Sequence, residues 1–232
     1  MEYPIYTYDE IPYWEELATS RSYVRYRSDI ERSAIVQALP SAPASTTALE
    51  IGCEGGRWSK LLSDLGWQMI CTDIDQKALA LCQQRVPSAR CILVRREDAR
   101  FPCDTESVGL AICIEVPPVV HADWFVDEAF RVLQPGGVFV GVAWNRISWR
   151  GLNDYTRRRE YWYWWGVSYQ DLRKRLCTRG FTMLHELGFA WPPFKNTGNS
   201  PLVPVAASIE RYLGLRKLVS LSPLVVFVAK KT

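Results

Sequence analysis

Between residues 47 and 145, short apolar runs alternate with stretches whose apolar positions recur every three or four residues. Thr47 to Ile51 is an apolar run closed by Gly52. Arg57 to Leu65 carries apolar residues at 58, 61, 62 and 65, the spacing of one helical face, and Gly66 stops it. Gln68 to Asp73 predicts a second strand, Gln76 to Arg85 a helix with Ala78, Leu79 and Cys82 on one side, and Arg90 to Arg95 a third strand. Val108 to Glu115 is nearly continuous apolar sequence, as in a strand covered on both faces. Ala122 to Leu133 predicts an amphipathic helix, Pro135-Gly136-Gly137 a turn, and Val138 to Trp144 a fifth strand. This alternation predicts an α/β fold, a parallel sheet with helices on both faces.

The flanks are less regular. Tyr13 to Ala18 and Ser22 to Leu39 predict two helices ahead of the first strand. Beyond Trp144, Tyr169 to Arg179 reads as a helix, Phe181 to Phe189 as a strand, Ser208 to Leu218 as a helix, and Leu224 to Ala229 as the last strand. Asn145 to Val167 and Trp191 to Ser222 do not fit the alternation. Insertions at the carboxyl ends of parallel strands are where such folds bind ligands. The expected organisation is one domain over 1–232, with a helical flap (1–46), a cofactor-binding core (47–145), and late strands carrying cap insertions (146–232).

Composition narrows the class. With 48% apolar residues in 232, the chain can bury a sizeable core and is too apolar to be disordered. No window approaches the 18 consecutive apolar residues of a membrane span. The seven cysteines, an odd number without a CxxC pair, argue against a zinc site or disulfide framework and for a reducing, cytoplasmic setting. Charge is uneven: residues 1–46 carry net −3, 47–145 net −4, and 146–232 net +10. All 11 tyrosines lie outside residues 27–154.

The candidate chemistry begins at Leu49-Glu50-Ile51-Gly52-Cys53-Glu54-Gly55-Gly56-Arg57, where glycines let backbone approach a ligand. Twenty-one residues past Gly52, Asp73 ends the second strand, placed to hold the two hydroxyls of a ribose. A dinucleotide fingerprint read from Gly52 needs glycine at 54 and 57, where Glu54 and Arg57 stand. Acidic residues at this turn oppose a pyrophosphate but tolerate S-adenosylmethionine, which has no phosphate and carries an ammonium and a sulfonium.

At these residues the chain resembles the class I S-adenosylmethionine-dependent methyltransferases, particularly the group that includes the ubiquinone and menaquinone biosynthesis enzymes. Leu49 to Gly56 is similar to the family's first motif, with Glu50, Gly52 and Gly56 matching and Glu54 replacing its second glycine. Cys71-Thr72-Asp73-Ile74-Asp75 resembles the second, which implies Asp73 on the ribose and Ile74 against adenine. Glu97-Asp98-Ala99 resembles the segment that reads the adenine edge, Cys113 to Val116 the motif beside the methionine part (Glu115), and Phe130 to Gly137 the turn before strand five. The resemblance implies a Rossmann-like sheet of seven strands with the last antiparallel. It also implies S-adenosylmethionine as cofactor and S-adenosylhomocysteine as product. A Glu-His metal pair of some ubiquinone-pathway relatives is absent in register, so no metal site is carried over.

Of the two histidines, His121 just past the fourth strand is the first candidate for a general base, against a packing or capping role near Asp123; His185 lies within a late strand. Asn145 to Val167 interleaves arginines with aromatics, and Tyr155, Arg159, Tyr163 and Trp164 are the candidate acceptor-binding residues. Such a segment suits a cap over a small acceptor, a core helix with a basic face, or a stacking platform for RNA. Arg25 and Tyr26 are candidates to close over the cofactor's carboxylate. The expected activity is methylation of a small molecule, on oxygen before nitrogen or carbon. An RNA or protein methyltransferase, or a catalytically silent cofactor-binding scaffold, are the alternatives.

Overall fold

The computed structural model describes residues 14–158 and 165–232. Two helices, α1 (Trp14–Ser20) and α2 (Ser22–Ala38), precede β1 (Thr47–Ile51). The core then runs α3 (Arg57–Asp64), β2 (Gln68–Asp73), α4 (Gln76–Arg85), β3 (Arg90–Leu93), β4 (Val108–Cys113), α5 (Pro117–Val120), α6 (Phe125–Val132) and β5 (Leu133–Trp144). The remainder is α7 (Trp149–Thr156), α8 (Tyr169–Arg179), β6 (Phe181–Phe189), α9 (Val203–Tyr212) and β7 (Leu224–Lys231).

The seven strands form one sheet in the order β3-β2-β1-β4-β5-β7-β6. β1 to β5 pair in parallel, and β7 lies antiparallel between β5 and β6. Alternation along the strands feeds two cores, one on each face. Leu110, Ile112, Val138, Val140 and Val142 pack with Tyr23, Ile35, Trp58 and Leu62 on the side of α2 and α3. Ala111, Cys113, Phe139 and Ala143 pack with Phe125, Ala129, Tyr169 and Leu172 on the side of α6 and α8. The expected seven-stranded Rossmann-like sheet is therefore present, with its last strand antiparallel.

Two elements differ from expectation. Pro135-Gly136-Gly137 lies inside β5, where the pairing with β4 shifts register between Val108–Leu133 and Leu110–Val138, so it is an irregularity within a long strand and not a turn before it. The late helix runs Val203–Tyr212 instead of 208–218. Pro204 sits in its first turn, where a missing N–H costs nothing, and Gly214 in the left-handed conformation follows its end.

Lys231 pins the end of β7. Its buried ammonium donates to the carbonyls of Phe130 (2.9 Å) and Leu133 (2.8 Å), bonds Glu106 (3.0 Å), and sits 4.4 Å from the Phe130 ring centre. The carbonyls at the α6–β5 junction thus find their partner on a strand remote in sequence. Replacing Lys231 by Met is expected to cost about 2–3 kcal/mol, because two buried acceptors lose a charged donor. Urea denaturation of the two proteins measures it.

Candidate cofactor and acceptor cavity

Strand order reverses between β1 and β4, and at their carboxyl ends a cavity of about 590 Å³ opens. This is where ligands bind in open α/β sheets. Its floor is the turn after β1 (Ile51 to Glu54) and the segment after β4 (Ile114 to Val119), and α1 and α2 contribute Trp14, Leu17, Val24, Arg27, Ser28 and Glu31.

Gly52 turns the chain at φ +70°, and a Cβ there would come within 2.5 Å of Val116 Cγ2. The two floor segments therefore touch through a missing side chain. Asp73 lies beside them, nearly buried, its carboxylate accepting from the backbone N–H of Glu54 (2.9 Å) and of Asp75 (3.0 Å). Burial pushes its pKa up, and these N–H bonds offset part of that. Each oxygen keeps a lone pair for a hydroxyl. Ile74 is exposed on the cavity wall, and Asp98 also faces the cavity, held by the Arg95 N–H (2.8 Å). Glu50 lies beneath the turn, accepting from the Ser59 hydroxyl, and burial pushes its pKa up to about 8.

The other end of the cavity holds a buried ion network. Arg27 pairs with Glu115, whose other oxygen accepts from the Trp144 indole N–H (2.9 Å). Burial pushes the Glu115 carboxyl up, but the Arg27 guanidinium overrides this and holds it below the usual carboxylate range. Arg57 bonds Ser28 (2.7 Å) and approaches Glu31 (3.4 Å). Burial, then the neighbouring Glu115 charge, pushes Glu31 up to about 8. Glu115 has φ +61° and Glu54 φ +48°, a left-handed backbone that costs non-glycine residues of order 1 kcal/mol or more and is concentrated at functional sites.

The cavity is lined by Glu50, Gly52, Asp73, Ile74, Asp98 and Glu115 of the expected cofactor set; Gly56 and Ala99 are not among its lining residues. His121 is not either, although its neighbours Val119 and Trp124 are. Its Nε2 is sealed from solvent without a partner, and burial, reinforced by Arg175, pushes the imidazole down to about 4. A group so reluctant to take a proton, and not among the residues that line the cavity, is poorly suited to be the base. Tyr155 is exposed and does not line the cavity; Arg159, Tyr163 and Trp164 lie outside the described residues. The lining aromatics are instead Trp14, Trp58, Phe101, Trp124 and Trp144, mostly from the middle of the chain.

Arg25 bonds carbonyls of α1 and Tyr26 donates to Glu210 (2.6 Å), so neither closes the cavity. Arg27, Glu31, Arg57 and Trp144 are the residues that sequence reasoning missed. A signal existed: Arg27 and Glu31 stand one turn apart on the face of α2 that buries Tyr23, Val24, Ala34 and Ile35. Charges on an apolar helical face announce a partner.

The donor set fits S-adenosylmethionine. Asp73 would offer acceptors to ribose hydroxyls, Ile74 an apolar wall to adenine, and Asp98 an acceptor to its amino group. Carboxylates at the turn suit a cation and would repel a pyrophosphate. Residues 49–141 match the family model described as "Methyltransferase domain". This stretch of the chain is thus similar to a methyltransferase domain.

Among curated proteins, a "probable S-adenosylmethionine-dependent methyltransferase" of Mycolicibacterium smegmatis is 30% identical over 163 residues, 66% of this chain. The alignment spans 59% of that relative's length. Among solved structures, a methyltransferase of Thermotoga maritima described as a "possible histamine N-methyltransferase" superposes with TM-score 0.60 at 14% identity, covering 94% of this chain and 93% of that one. Geranyl diphosphate C-methyltransferase from Streptomyces coelicolor, solved with Mg2+, geranyl-S-thiolodiphosphate and S-adenosyl-L-homocysteine, superposes with TM-score 0.62 at 14% identity, covering 90% and 77%. These two likenesses concern the fold.

The raised pKa of Glu50 carries a stability consequence. Between the ordinary carboxylate range and about pH 8, the unfolded chain has lost this proton and the folded protein keeps it. The folded state then binds more protons, so stability falls as pH rises through that window. Glu50→Gln is expected to flatten this fall by a few kcal/mol in total. Thermal melts of both proteins from pH 5 to 8 measure it.

Proposed function

We propose that this chain transfers the methyl group of S-adenosylmethionine to an oxygen of a small acceptor enclosed in the same cavity. The supporting observation is that one cavity, roofed by residues of α1 and α2, contains both the cofactor acids and a carboxyl with proton affinity near neutrality, Glu31. A volume of about 590 Å³ lies within the range of small-molecule sites. The likeness of the motifs to the ubiquinone and menaquinone group favours the same reading. The seven thiols, all free, suit a cytoplasmic setting.

In this reading Asp73 holds the ribose, Ile74 and Asp98 the adenine, and Glu50 in its ionised form faces the ammonium. Arg57, whose charge acts on Glu50, and Arg27 beyond it stand where the carboxylate on the same carbon as that ammonium would be received. When bound, S-adenosylmethionine supplies an electrophilic methyl group and departs as S-adenosylhomocysteine. Trp144 and Trp124 give the acceptor an apolar wall and exclude water. Glu31 takes the hydroxyl proton, which His121, buried elsewhere with a depressed pKa, is not placed to do.

The basic last third favours a second reading, a polyanionic acceptor such as RNA. Against it, many of those cations are already engaged by protein groups. Arg173 bonds Glu186, Arg179 Asp127, and Arg216 Glu210; Arg175 bonds the carbonyls of Ala122 and Asp123, and Arg150 those of Ala190, Pro192 and Phe194.

Calorimetry is expected to show S-adenosylmethionine binding that Asp73→Ala weakens tenfold or more, about 1.4 kcal/mol. Absence of heat from folded protein overturns the cofactor assignment. Once an acceptor is in hand, Glu31→Gln is expected to lower kcat by about a hundredfold. The same variant should remove a rise in rate that levels off near pH 8, with cofactor affinity little changed. A gel shift with tRNA that weakens with salt would favour the polyanion instead.

A further inference from the structure

Four cysteines that are scattered in sequence converge behind the glycine turn. Cys71 on β2 and Cys91 on β3 are direct register partners in adjacent parallel strands, so their side chains leave the same face of the sheet. α4 covers that face and brings Cys82 onto them. The three Sγ atoms all lie within 4.8 Å of one another. Cys53, in the glycine turn itself, packs in the same cluster as Cys71 and Cys82. The Ser59 hydroxyl lies 2.9 Å from Cys71 Sγ.

We propose that Cys71, Cys82 and Cys91, with Cys53 beside them as a fourth donor, form a thiolate site for a zinc ion. Tetrahedral zinc with Zn–S bonds near 2.3 Å sets its sulfurs roughly 3.8 Å apart, so the thiols of Cys71, Cys82 and Cys91 need contract by about an ångström at most. The ligands come from two strands, a helix and a turn already packed together, so the site is prepared by the fold. Cys91, on the edge strand and only half-buried, gives the ion a route from solvent.

The site would brace the cofactor turn from its hidden side. Cys53 also lines the cavity, and a Cβ on Gly56 would meet Cys82 Sγ at 2.7 Å, so turn and thiols are in direct contact. The binding step is balanced: each coordinating thiol gives up its proton to solvent as its Zn–S bond forms, with no change of oxidation state.

The test uses the full chain, reduced and dialysed against a chelator, then titrated with Zn2+. The expected result is one Zn2+ per chain, release of about three to four protons, and a higher Tm. With Co2+ as probe, a thiolate-to-metal charge-transfer band is expected. Cys82→Ala and Cys91→Ala should each abolish both signals, while Cys177→Ala, at an exposed cysteine away from the cluster, should leave them intact. Far-UV circular dichroism checks folding; if Cys82→Ala fails to fold, the half-buried Cys91 decides. Folded, reduced protein that takes up no Zn2+ overturns the proposal and leaves the thiols as inert core packing. So does Zn2+ uptake that survives Cys91→Ala or is lost with Cys177→Ala.

Discussion

The pairing of Arg27 with Glu115 is the interaction around which the cavity is organised. Neither charge is affordable alone out of water, where an unpaired ion costs several kcal/mol. The pair couples α2, which precedes the sheet in sequence, to the end of β4 near its middle. Arg57 and Glu31 extend it toward the glycine turn, and Trp144 extends it toward β5. The Arg27 guanidinium also lies 5.5 Å from the Trp14 ring, so α1 is drawn over the same charges. The N-terminal helices are therefore held as the cavity's roof by electrostatics as well as by apolar contact.

That arrangement makes the two ends of the cavity chemically different. Near β1 and β2, carboxylates accept backbone N–H groups and offer further acceptors. Near β4 and β5, positive and negative groups are interleaved, and burial raises Glu31 while Arg27 lowers Glu115. Two carboxyls in one network are pushed apart in proton affinity, as acid–base sites require. Such separation needs both the low-dielectric surroundings of the two cores and the guanidinium between the acids.

The core was legible where local pattern and tertiary role agree. β1, β2, β4 and the helices between them follow from apolar periodicity, and Gly52 and Asp73 from their spacing. Legibility failed where partners come from distant segments. Nothing adjacent to Pro135-Gly136-Gly137 reveals that β4 would absorb it as an irregularity of β5. Pro204 reads as a breaker unless it is placed in a helix's first turn. His121 is attractive by position after β4, yet its low proton affinity comes from burial and from the charge of Arg175 on α8, some fifty residues on. The aromatic flanks pointed to the acceptor site, but Tyr23 and Tyr26 bury themselves against the segment around Ala190 and Pro192.

The position of β7 bears on how the molecule is made. β5 has β4 on one side, but the strand that completes its other side begins about 80 residues later. At ribosomal speeds of about 5–20 residues per second, that interval is roughly 4–16 s. Throughout it, the edge of β5, whose residues Gly137 to Trp144 are buried in the finished protein, lacks its β7 partner, a template for pairing with other chains. The antiparallel β6–β7 pair, rather than the parallel half of the sheet, then sets the risk of aggregation during synthesis.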